Sequence, residues 1–150
     1  MIPKASQGIG HLVSRIAQDL MPKAADAYMA TDLAYFTALL TMVGQDYDRA
    51  ADVLISEHDL ICTLLRDASV VLDDAGLKER IDAALDLKPA SLRVPDLNAR
   101  ADVTVKLLID VHAAVENAQA KGDAWAAPLN LKIWDYLERF AANRSYDVPF

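Results

Sequence analysis

Four side chains in this sequence have types and spacing suited to joint chemistry: Asp32, His58, His112 and Glu116. Imidazole nitrogen and carboxylate oxygen together suit zinc or iron. His112 and Glu116 are four apart, so they share one face of a helix. Cys62 follows His58 by four and offers either a thiolate ligand or a small buried hydrophobe. Unpaired polar groups are costly to bury, so groups facing a core must find one another, water or a ligand. A set of this kind is therefore a structural hydrogen-bond network that fixes helix register, a metal site between helices, or the lining of a small-molecule pocket.

The elements that must position these groups are helices. Apolar residues recur with a 3.6-residue period and no segment alternates like a strand. The pattern predicts a first helix over 6–20, a second over 22–45, a third over 47–74, a short one over 77–86, a fourth over 97–121 and a fifth over 124–143. Two prolines, Pro89 and Pro95, mark 87–95 as a loop. Asp46 or Asp48 is the expected cap of the third helix, Gly76 its stop, Asp96 the cap of the fourth and Gly122 its end. Short links imply antiparallel neighbours. The expected architecture is one all-α domain over 1–150, an antiparallel up-and-down bundle of four main helices with an N-terminal and a short connecting helix.

Angle and height bring the four groups to one level. The second helix places Ala25, Tyr28, Met29, Phe36, Leu39, Leu40 and Val43 on its main apolar face, with Asp32 near the centre. Its opposite face is small and uncharged, with Ala27, Ala30, Thr31, Ala34, Thr37, Ala38 and Thr41. His58 lies on the stripe of Leu54, Ile61, Leu65, Ala68 and Leu72, and His112 on that of Val105 and Ile109. Asp32 stands 14 positions before the expected turn at Asp46 and His58 stands 12 after it, while His58 and His112 each stand 16 from the ends at Asp74 and Asp96. At about 1.5 Å per residue, antiparallel packing predicts that all four meet.

Glu57-His58 at the start of an Ile/Leu-rich helix and His112-Ala-Ala-Val-Glu116 on a later one resemble the hemerythrin-like iron-binding bundles. That family uses a Glu-His pair on its third helix and His-x-x-x-Glu on its fourth. The resemblance implies an iron site in a four-helix bundle. It covers two helices. Where the family has a second His-x-x-x-Glu, the second helix here has only Asp32 and Phe36. His11, the only histidine of the first helix, lies about 150° from that helix's apolar face and is expected in solvent. The resemblance thus extends at most to a degenerate, mononuclear or lost site.

Composition narrows the function. The net charge of −7, with interspersed signs and no basic stripe, argues against nucleic acid and anionic membrane as partners. The longest charge-free apolar stretch, 33–45, is too short to span a membrane, and no secretory leader is visible. One cysteine suits a reducing compartment, so a cytoplasmic location is expected. No phosphate loop, nucleophile elbow or paired-cysteine motif is present. Two functions are expected from different classes. One is a non-enzymatic interaction or assembly module, a homodimer through the Ala/Thr face of the second helix or the Trp134 side of the fifth. The other is a metal- or small-ligand-binding bundle built on Asp32, His58, His112 and Glu116.

Overall fold

The computed structural model describes residues 4–148. The fold is all-α, 83% helical, with no strand among the described residues. The elements are α1 (Ala5–Arg15), a π-turn (Ile16–Leu20) and a 3-10 turn (Met21–Lys23), then α2 (Ala27–Val71), α3 (Ala75–Leu85), α4 (Val94–Lys121) and α5 (Ala126–Ala142). The chain forms two compact units that divide between Ala50 and Ala51.

The largest departure from the sequence reading is α2. The second and third helices are one helix of 45 residues, and no turn occurs at Asp46. The stretch Gly44-Gln45-Asp46-Tyr47-Asp48 contains no proline. A lone interior glycine costs about 1 kcal/mol, which is too little to stop a helix whose flanks both propagate. Asp26 starts α2, its Oδ1 accepting from the Met29 amide at 2.8 Å. Thr31, Thr37 and Thr41 donate their hydroxyls to the carbonyls four residues back, which lets three β-branched polar residues sit inside a helix.

The other ends follow local chemistry. Asp74, not Gly76, marks the junction after α2: its Oδ1 accepts from the Leu77 amide at 2.9 Å, and Gly76 lies within α3. The fourth helix starts three residues early at Val94, with Pro95 in its first turn, where a missing N–H has no cost. Gly122 ends it in the left-handed region at φ +89°, as expected.

The unit of residues 51–144 holds the core. The C-terminal half of α2 contributes Ile61, Leu65 and Ala68, α3 Ile81, α4 Leu107, Val111 and Val115, and α5 Ala126, Leu129, Ile133 and Tyr136. Asp67 pairs with Lys132 and Glu57 with Arg144, so α2 and α5 run antiparallel in this unit.

The unit of residues up to 50 and from 145 is differently built. None of its described residues is fully buried. Here α1 approaches α2 closely at Gly44: a Cβ there would stand 3.2 Å from Ile9 Cγ2, so a larger residue would push the Ile9 side chain aside by a few tenths of an ångström. Ser6, Gly10 and Val13 of α1 line the same groove as Thr41, Gln45 and Asp48 of α2. The tail is held to α2 by Tyr146, which donates to Asp46 at 2.9 Å and stacks under Arg49, and by Gln45, which exchanges two hydrogen bonds with the Asp147 backbone.

Candidate functional site

His58 and His112 have different hydrogen-bond partners. His58 is buried on α2, and its Nε2 lies 3.3 Å from the Cys62 sulfur. Burial lowers its pKa below the ordinary value of 6.5, and the nearby Arg100 guanidinium lowers it further. His58 is therefore neutral at pH 7. Burial also raises the Cys62 thiol, so it is protonated and poor as a ligand or nucleophile. His58 Nδ1 and Arg100 Nε and Nη2 are buried without a hydrogen-bond partner. All three atoms are sealed from solvent, so no ligand reaches them in this conformation.

His112, on α4, belongs to a different group. Its Nε2 lies 2.9 Å from the Asn130 side-chain oxygen, and Asn130 donates to Gln119 at 2.7 Å. That chain assigns the proton to Nε2, because the oxygen can only accept. Glu116 stands 3.7 Å away, sharing the face as its spacing requires. The imidazole meets Trp134 edge-on, with centroids 5.6 Å apart. His112 also lines an apolar groove of about 180 Å³ between α4 and α5, with Leu108, Ile109, Ile133, Tyr136 and Phe140. Pockets for small molecules usually span roughly 300–1,000 Å³, so this groove is small for a cofactor.

Asp32 belongs to the first unit and His58, His112 and Glu116 to the second. Of the four, the structure brings together His112 and Glu116. Among the described residues, no three His, Cys, Asp or Glu side chains are grouped to hold a metal ion. Because α2 runs unbroken through Asp46, positions counted from a turn there do not set Asp32 level with His58. His11 is exposed, as its angle predicted.

Glu57, which the iron-bundle resemblance would use as a ligand, is committed elsewhere. Arg144 grips its carboxylate through both terminal nitrogens, one at 2.9 Å, and Asn143 adds a longer contact at 3.4 Å. Phe140 lies beneath the guanidinium, 3.4 Å from centroid to carbon. The pair sits beside Tyr136, whose phenol is pushed up to about 12 by burial and by the Glu57 charge. Sequence reasoning missed Arg144 and Arg100. Arg144 lies beyond the end of its helix, where no periodicity marks it. Asn130 could have been noticed as a polar residue bordering the inward Leu129–Ile133 stripe.

A second candidate is a surface. At about 100° per residue, Tyr28, Asp32, Tyr35, Phe36, Leu39 and Val43 share an arc of about 100° on α2, with Met29 and Tyr47 at its edge. This is the face read from sequence as the main apolar face, and the structure leaves it in solvent: Tyr28 is 78% exposed, Tyr35 66%, Phe36 57% and Tyr47 63%. Of the Ala/Thr face, expected as an interface, Thr41 lines the groove between α1 and α2, while Ala27, Thr31 and Ala34 are exposed. On α5, Leu131 and Trp134 are also exposed.

Comparison with protein-family models, with curated proteins and with solved structures finds no match to this chain.

Proposed function

We propose that this chain is a non-enzymatic assembly module whose binding surface is the aromatic face of α2 between Tyr28 and Tyr47. The observation that carries the reading is the exposure of four aromatic residues and of Met29, Leu39 and Val43 on one continuous helix face. Large contiguous apolar patches are rare on monomeric proteins, and aromatic residues are enriched at binding interfaces. A cytoplasmic setting accords with the lone, buried and protonated Cys62. Zinc or iron binding has less support: Glu57, His58 and His112 already engage Arg144, Cys62 and Asn130.

The test is a variant carrying Tyr35→Lys, Phe36→Lys and Leu39→Lys, produced in the same cells as the unaltered chain. Native particle size in a dilute extract is then measured for both. The reading expects the unaltered chain in a species larger than a monomer and the variant at monomer size, with equal helix content. Equal particle sizes would overturn it.

A further inference from the structure

We infer that the occupant of this face is a second copy of the chain, packed antiparallel, α2 against α2, about a point between Thr37 and Ala38. The inference rests on reading the face as an interface, and it adds the partner and its orientation.

The first argument is area. Four aromatic residues at these exposures, at roughly 200 Å² per side chain, together with half-exposed Met29, Leu39 and Val43, present on the order of 800 Å² of apolar face. That equals the share of about 800 Å² that each partner gives a standard interface. The face of one copy is thus enough to cover the face of another.

The second argument is the seam. Met29, Asp32, Phe36, Leu39, Val43 and Asp46 follow one another at intervals of three and four, the spacing of a two-helix seam. Tyr28, Tyr35 and Met42 flank it on one side, and Leu33, Leu40 and Tyr47 on the other. Pairing about the 37/38 point sets Phe36 against Leu39 of the second copy and Asp32 against its Val43.

The third argument is charge. Asp46 is already matched by Arg49 at 3.7 Å and by the Tyr146 hydroxyl. Asp32 has no ion-pair partner among the described residues. Parallel pairing in register would stack Asp32 on Asp32, a like-charge contact between buried carboxylates. Antiparallel pairing separates the two by about 16 Å at 1.5 Å per residue and brings Arg49 of the second copy to within about two helical turns. One polar residue in an apolar seam is a known means of fixing orientation.

Sedimentation equilibrium on the purified chain at about 50 μM tests the partner. The unaltered chain is expected as a dimer, and Phe36→Arg and Leu39→Arg each as a monomer with unchanged circular dichroism, their dissociation constants raised at least about 100-fold. Cysteine cross-linking tests the orientation. Met29→Cys mixed with Tyr47→Cys should form a disulfide-linked pair, whereas either alone should not, because like positions lie about 26–29 Å apart in height. A monomeric unaltered chain would overturn the second-copy inference while leaving the interface reading to the extract experiment. A dimer indifferent to both arginine variants would overturn inference and reading together. Self-linking of Met29→Cys would overturn the antiparallel arrangement.

Discussion

The two halves of α2 have similar apolar content and opposite fates. From Leu54 to Ala68 the helix buries Leu54, Ile61, Cys62, Leu64, Leu65 and Ala68 in the second unit, with Leu72 just beyond its end. From Ala27 to Ala50 it buries nothing fully, although it carries three tyrosines and a phenylalanine. Hydropathy sets which face of a helix avoids water, but neighbours decide whether it can. In the second unit α3, α4 and α5 supply those neighbours. In the first, α1 packs beside Thr41, Gly44 and Gln45 only, and the aromatic side stays exposed.

The sharpest way to break this contrast is to truncate one large side chain in each half. Leu65→Ala, at a position with no exposure, is expected to cost about 3–5 kcal/mol by chemical denaturation, the range for a core leucine. Phe36→Ala in dilute protein should cost no more than about 0.5 kcal/mol, as for ordinary surface changes. Comparable costs would show that the aromatic face is part of a core.

A smaller effect is expected at Glu57. Arg144→Ala would leave that carboxylate buried without its main partner. Breaking a buried pair costs about 3–5 kcal/mol, but the Arg144 side chain keeps 42% exposure, so about 2–3 kcal/mol is expected. The neighbouring Tyr136 should set an alkaline limb of stability. The Tyr136 phenol resists ionisation up to about 12 in the folded state and only to about 10 when unfolded. Stability should therefore fall as pH rises from 10 toward 12, and Tyr136→Phe should remove that fall.

The smallest effect is at His58. Its folded pKa is depressed, so below about 6.5 the unfolded chain takes up the proton first. Its contribution is complete above that pH and is lost as pH falls. His58→Leu should flatten this acid limb and change stability at pH 8 by less than about 1 kcal/mol, because the substitution also removes the unpartnered Nδ1. A loss of several kcal/mol would mean that Nδ1 is hydrogen-bonded in solution.

Helix class, the approximate helix spans outside 44–48 and the core positions of the second unit were legible in the sequence, because periodicity is local, whereas of the named caps and stops only Gly122 ends a helix as expected. Gly122, the inward stripe of Ile61, Leu65 and Ala68 and the exposed His11 all follow from spacing. The continuity of α2 was harder to read, since Asp46 and Asp48 are caps only where a helix begins and are tolerated inside one. That single difference removed the basis for setting Asp32 level with His58. The Arg144–Glu57 pair, joined across 87 positions, depends on tertiary packing that no local pattern encodes. Of the metal-ligand set read from sequence, His58 contacts Cys62, His112 meets Asn130 and stands 3.7 Å from Glu116, and Asp32 lies on the aromatic face of α2.

The central claim is that the exposed face of α2 is an interface between copies, and amide hydrogen exchange at two concentrations tests it most directly. Peptides covering 28–47 and 54–72 would be followed in protein at about 1 μM and about 100 μM. The account predicts that 54–72 is strongly protected at both, whereas 28–47 exchanges quickly when dilute and gains protection when concentrated. Equal exchange of 28–47 at the two concentrations, in protein shown to be monomeric at both, would contradict it.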